Sequence, residues 1–264
     1  MKSTLTFKIL TIASILLIAA FLFSYESDDL VDISNGPPQE MSVVNEASVQ
    51  PIEHASFVMR FAGQLIFNDP VGDSALYKLY GVPDIVLVSD IHGDHLDLET
   101  LEAVIGEGTL IVASQAVSEQ FPEFLTSQSV TMGNGDQHEV EGLKIEAVPM
   151  YNLPESEDSF HTKGRGNGYV LEGSGMRMYI AGDTADIPEM RALEDIDIAF
   201  IPMNLPFTMD VDIAADAVLD FAPAVVYPYH YRGKEGFSDV DEFIRLVELG
   251  NEEIEVRALN WYPR

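Results

Sequence analysis

Asp90-Ile91-His92-Gly93-Asp94-His95 places four potential metal ligands within six residues, directly behind the apolar run Ile85-Val86-Leu87-Val88. A strand rises about 3.3 Å per residue, so side chains two apart share a face, while the turn that follows curls later residues toward the same point. The chemistry this allows is metal binding at a strand end. Four further segments share the design of an apolar run closed by a polar cluster: Ala147 to Asn152, Tyr179 to Thr184, Phe200 to Asn204 and Val226 to Tyr231. Strand ends gathered on one edge make a natural site.

The ordered set Asp90-x-His92-x-Asp94-His95, Gly182-Asp183-Thr184 and His230 resembles the metallo-β-lactamase-fold hydrolases, over about His54 to Tyr231. Within them it is similar to the branch of the ascorbate-phosphate lactonases and the N-acyl-phosphatidylethanolamine phospholipase D. The family hallmark is His-x-His-x-Asp-His, a third His, a Gly-Asp aspartate and a last His, and the ordered set is far more specific than any one motif. The resemblance implies an α+β fold, a four-layered αββα sandwich of the metallo-β-lactamase type. It also implies a metal held by Asp94, His95, His230 and Asp183, with Asp94 and Asp183 serving catalysis as well.

The chain departs from the hallmark twice. Asp90 stands where the family has its first His, and Tyr151 and Asn152 stand where its third His is usual. The other metal position therefore keeps His92 and Asp183 and gains oxygen from Asp90, with Asn152 a further candidate. Oxygen donors favour harder cations such as manganese, or weaker occupancy, over the nitrogen-rich set that suits zinc. The expectation is one firmly bound Zn²⁺ or Mn²⁺ and a second that is weaker or absent, so one or two per chain.

His161 either supplies the missing nitrogen or contacts substrate. Its loop, Phe160 to Gly168, is glycine-rich and carries Lys163 and Arg165, candidates for holding an anionic group, with Arg232 and Lys234 a second possibility. An ordinary solvated hairpin loop is the alternative. His54 could line the pocket and Asp69 could orient a metal-binding His, or both could be turn chemistry. His138 reads as an exposed turn residue, and the alternating Tyr227, Tyr229 and Tyr231 read as packing.

A metal lowers the pKa of its bound water and makes hydroxide without a protein nucleophile. The expected reaction is attack of that hydroxide on a lactone, ester or phosphodiester of a small, anionic molecule. The rival is a non-catalytic, metal-stabilised binding protein with a degraded first metal site, since a structural site is coordinatively closed.

The elements that must position these residues are short apolar strands: Phe57 to Phe61, Leu65 to Asn68, Ile85 to Val88, Leu110 to Ala113, Leu143 to Val148, Gly168 to Leu171, Met176 to Ala181, Ile198 to Pro202 and Val225 to Pro228. Helical spacing follows the cap candidates Asp97 and Asp210. No internal repeat is evident. Tight turns between the early strands, then helices between the later ones, predict packed sheets with helices outside.

At 264 residues and 47% hydrophobic content the chain can bury a substantial core, and without cysteine its metal ligands are limited to His, carboxylate and neutral oxygen. A net charge of −30 excludes binding nucleic acid through phosphate contacts. Lys2 and Lys8 ahead of the apolar run Ile9 to Phe23 resemble an export signal. We read 1–25 as a signal peptide or N-terminal anchor, 26–51 as an acidic flexible linker and 52–264 as the hydrolase domain. This predicts a periplasmic protein or one anchored to the outer face of the inner membrane, with any membrane association through the N-terminal segment alone.

Overall fold

The computed structural model describes residues 42–44 and 47–262. The expected signal or anchor and most of the acidic stretch lie outside the described residues. Among those described, no helix is long and apolar enough to cross a membrane.

Two seven-stranded sheets make up the fold. The first runs in chain order through β1 (Ser42–Val44), β2 (Ala47–Glu53), β3 (Ser56–Phe61), β4 (Gln64–Asn68), β5 (Ile85–Val88), β6 (Leu110–Ala113) and β7 (Ser129–Thr131). β1 to β4 pair antiparallel, and β4 to β7 pair parallel, as the intervening helices Ser74–Lys78, Leu98–Val104 and Gln115–Ser118 require. The second half repeats this plan. β8 (Gln137–Val140), β9 (Leu143–Met150), β10 (Gly166–Gly173) and β11 (Met176–Ile180) are antiparallel. Then β12 (Ile198–Pro202) and β13 (Val225–Tyr229) follow in parallel, a small hairpin of β14 (Arg232–Gly233) and β15 (Gly236–Phe237) intervenes, and β16 (Glu255–Val256) closes the parallel edge. The topological repeat has no counterpart in the sequence, because two sheets can share a plan of burial while differing in every side chain.

Alternation along the strands builds the layers. Phe57, Met59, Ile66 and Leu87 of the first sheet share one core with Ile145, Tyr169, Leu171, Phe200 and Tyr227 of the second. Their neighbours Val58, Phe67, Val86 and Val88 face the other way, onto Leu101 and Val104. Tyr179, Ala199, Ile201 and Val226 likewise pack on Ala214, Val218 and Phe221 of helix Val211–Phe221 and on Phe243 and Val247 of helix Val240–Gly250. Buried on both faces, the inner parallel strands β5, β6 and β12 are apolar throughout, and each large side chain so buried contributes roughly 1.5–3 kcal/mol. The result is the expected α+β, four-layered αββα sandwich.

Asp97 caps its helix by accepting from the Glu99 and Thr100 amides at 3.0 and 3.2 Å, and Asp210 accepts from Ile213 N at 2.9 Å. Each cap is worth about 1 kcal/mol. Two expectations need correction. The folded sheet begins before residue 52, since β2 starts at Ala47 and buries Ala47 and Val49, with Pro51 accommodated at a register shift. His138 lies in β8, half-buried, because Gln137–Val140 is a polar edge strand and only its pairing with β9 reveals it.

Candidate metal centre

The carboxyl ends of β4, β5, β9, β11, β12 and β13 lie along one edge, and each delivers a polar residue there: Asp69, the Asp90 to His95 turn, Tyr151 and Asn152, Asp183, Asn204 and His230. Two backbone features aim them. Gly182, between β11 and Asp183, has φ +66°, and a Cβ there would lie 2.6 Å from Met150 Sδ, so only glycine fits. His230 itself has φ +47°, a left-handed conformation unusual for a residue with a side chain and concentrated at functional sites.

One group of donors is Asp94, His95 and His230. His95 Nε2 lies 3.9 Å from Asp94 Oδ1 and 3.4 Å from Asp183 Oδ2, and His230 Nε2 lies 3.5 Å from Asp94 Oδ2 and 3.3 Å from Asp183 Oδ1. The far side of His95 is fixed: its Nδ1 meets Asp69 Oδ2 at 2.9 Å. Asp69 is in turn held by the Ser89 amide and hydroxyl, both at 2.7 Å, and by Asn68 at 3.1 Å. A carboxylate accepts, so Nδ1 carries the proton and Nε2 faces the donors.

The other group is Asp90, His92 and His161. His161 Nε2 lies 3.3 Å from Asp183 Oδ2 and 3.7 Å from Asp90 Oδ2. Its Nδ1 meets the Phe207 carbonyl at 3.1 Å, which can only accept, so here too the proton sits on Nδ1 and Nε2 keeps its lone pair. Asp90 is fully buried and doubly occupied. Arg165 donates from Nε to Oδ1 at 3.1 Å and from Nη2 to Oδ2 at 2.8 Å, and His92 Nδ1 stands 2.8 Å from Oδ2. Asp183 lies between the two groups.

Burial alone would raise the Asp183 carboxyl, but the His230 and His95 rings outweigh it and hold the group well below the usual carboxylate range. His95 moves the opposite way: burial opposes its proton, yet Asp183 and Asp69 hold it well above the ordinary imidazole value. Despite these attractions Nε2 of His95, Nε2 of His161 and Oδ1 of Asp183 have no hydrogen-bond partner and no solvent. A buried polar group left unsatisfied costs about 1–3 kcal/mol. Three that converge on one region, two imidazole nitrogens and a carboxylate oxygen, fit a divalent cation, and the all-nitrogen-and-oxygen set is chemically suited to one.

Other expected site residues have other partners, which corrects their assignment. Tyr151 donates its hydroxyl to Glu189 at 2.9 Å and offers no oxygen to the donors. Asn152 is a clamp: its Oδ1 accepts from His161 N at 2.8 Å and its Nδ2 donates to the Phe207 carbonyl at 2.7 Å, pinning the residue and the carbonyl that orient the His161 ring. Lys163 pairs with Glu189 at 2.7 Å in a partly exposed bridge, whereas Arg165 is occupied by the buried Asp90. His54 stands beside the centre, its ring 5.3 Å from that of His230 and edge-on to it. Asn204, expected only as part of a strand-end segment, reaches the centre itself, its Nδ2 3.3 Å from His230 Nε2. Its position closing an apolar strand was the available signal.

A beta-lactamase superfamily domain matches residues 48–230. The chain belongs to that superfamily. Among sequence relatives, the UPF0173 metal-dependent hydrolase of Thermococcus onnurineus is 33% identical over 169 residues, spanning 62% of this chain and 74% of its own. The counterpart from Methanopyrus kandleri is 31% identical over 216 residues, 78% of this chain and 94% of its own. Among solved structures, a metal-dependent hydrolase candidate from Parabacteroides distasonis superimposes with a TM-score of 0.72 at 38% identity, covering 82% of this chain and 94% of that one. These likenesses agree with the layered fold and make the chain a metallo-β-lactamase-fold hydrolase.

Proposed function

We propose that this metal-dependent hydrolase cleaves a lactone, ester or phosphodiester of an anionic small molecule, with one firmly held Zn²⁺ or Mn²⁺. Asp94, His95, His230 and Asp183 would hold the ion, with His161 offering a further nitrogen 3.3 Å from Asp183 Oδ2. When bound, such an ion lowers the pKa of water and polarises the oxygen under attack.

The chain's own residues supply the rest. Asp69 and the Phe207 carbonyl hold Nδ1 of His95 and of His161 and so keep each Nε2 aimed at Asp183. Asp94 stays ionised, because contacts with His230 and His95 outweigh burial, and its side chain is 44% exposed, so it can orient an attacking water by accepting a hydrogen bond from it. Arg165 neutralises Asp90 and so lowers the demand for a second cation in the Asp90 group. A closed, purely structural centre accords less well with the exposure of Asp94 and His92, at 44% and 38%, which leaves the donors open on one side.

The convergence of three unpartnered buried atoms at Asp183 carries this reading. The metal-loaded protein should hydrolyse at least one of a γ-lactone, p-nitrophenyl acetate and bis-p-nitrophenyl phosphate, and Asp183→Ala should lose metal and turnover together. Undiminished turnover in that variant overturns the scheme. Export through the basic and apolar N-terminal segment is part of the same proposal, checked by fractionating cells that express the full chain.

A further inference from the structure

We infer that the cavity beside the β14–β15 hairpin is a second binding site, which holds an anionic group borne on a planar or aromatic ring of the substrate through Arg232. The inference deepens the hydrolase reading by naming a feature of its substrate. The cavity measures about 500 Å³, and its walls include Glu53, Tyr231, Arg232, Phe237 and Tyr262.

Its place in the chain links it to the metal centre. Tyr231 and Arg232 directly follow His230, and His54 touches both sides, its ring 5.3 Å from His230 and 5.2 Å from Tyr262. The rings of Tyr231, Phe237 and Tyr262 lie 5.0 to 6.1 Å apart in edge and tilted contacts. They form an aromatic wall that a ring or other flat group can stack against. Phe237 is 60% exposed, so part of that wall stands in water.

The cation is both oriented and available. The Arg232 guanidinium lies over the Tyr262 ring at 4.8 Å, and its backbone amide donates to the Tyr262 hydroxyl at 3.2 Å. Stacking of this kind holds the planar fork ready for a carboxylate or phosphate. Arg165 is committed to the buried Asp90 at 2.8 Å, and Lys163 holds Glu189 at the short distance of 2.7 Å. Arg232 instead meets Glu53 at 3.4 Å, with the two side chains 40% and 52% exposed, and also contacts His54. An exposed pair of that length is worth about 0–1 kcal/mol, so an incoming anion can replace Glu53 at little cost. In a protein of net charge −30, an anionic substrate needs such a local cation to dwell beside the centre.

Calorimetric titration of the metal-loaded full chain with benzoate and phenyl phosphate, and with benzamide as the uncharged control, tests this. The anions should bind about tenfold more tightly than benzamide, Arg232→Gln should remove that preference while benzamide binding stays the same, and Arg232→Lys should retain part of it. Tyr262→Ala should weaken all three. Asp183→Ala should keep the anion preference, which separates this site from the metal. The relative affinities of benzoate and phenyl phosphate distinguish a carboxylate from a phosphate ligand. Equal binding of anion and control by the native protein overturns the inference, as does a preference that survives Arg232→Gln but disappears in Asp183→Ala. Absence of ester, lactone and phosphodiester turnover would count against the hydrolase reading and leave the binding result to stand alone.

Discussion

The two donor groups that share Asp183 solve the same problem with different charges. Around His95 and His230 the balancing groups are carboxylates, Asp69, Asp94 and Asp183, and among the described residues no lysine or arginine is paired with them. Around His92 and His161 the carboxylate Asp90 is already matched by a bidentate guanidinium. A cation entering the first of these groups competes only with protons on His95 and His230, while one entering the second must compete with Arg165. The difference teaches that replacing a histidine by an aspartate does not by itself make an oxygen-rich metal site. The aspartate's partner decides whether its oxygens are available.

Removing that partner should give the larger effect. Arg165→Gln leaves Asp90 buried with its charge poorly matched, and breaking a buried pair costs about 3–5 kcal/mol. We expect a loss near the lower end of that range in the metal-free protein, because glutamine can still donate one hydrogen bond, measured by urea unfolding. Elemental analysis should then show bound metal rising from one ion per chain toward two, since Asp90, His92 and His161 are released to bind. Two firmly held ions in the native protein, or unchanged stability in Arg165→Gln, would break the contrast between the groups.

A smaller effect is expected from the residues behind the ligands. Asp69→Asn keeps the shape but weakens the grip on His95 Nδ1, and loss of such support typically costs about 10–100-fold in metal affinity. Competition against a chelator should show that loss, with a smaller one expected for Asn152→Ala, which frees His161 in the group proposed to hold metal less firmly. Equal losses in the two variants would mean that both groups contribute alike to the bound ion.

The strands that carry these residues were legible because their apolar runs are short and end in polar clusters, and β5, β6 and β12 keep the expected limits. The caps at Asp97 and Asp210 were legible for the same local reason. Helix Val240–Gly250 was not foreseen, although Asp239 caps it, Phe243 and Val247 anchor it, and its apolar residues recur with a helical period clearer than that of Val211–Phe221. Proximity of the donors followed from their order along the chain. What escaped was pairing over distance: Arg165 and Asp90 are 75 residues apart, and nothing local to either marks them as partners. Charge type alone suggested that Arg165 was free for substrate, and only the geometry shows it occupied.

Protons provide the finest probe of the contrast. In the metal-free protein His95 and His230 are raised above 6.5, because Asp183 with its carboxylate neighbours outweighs burial. The folded state then binds these protons more tightly than the unfolded chain, so their stabilisation is full below 6.5 and is lost as pH rises through the raised values. His161 runs the other way: burial, aided by the neighbouring histidines, outweighs Asp183 and Asp90 and lowers it, so its contribution is lost as pH falls from 6.5 through the lowered value. A metal ion takes the place of the protons on His95 and His230 but finds His161 already neutral. The rise in melting temperature on adding Zn²⁺ or Mn²⁺ should therefore grow between about pH 6 and about pH 8, as proton competition at His95 and His230 fades. A metal-induced shift that stays flat across that range would mean that the ion does not displace those protons, and would move the firm site away from the Asp94 group.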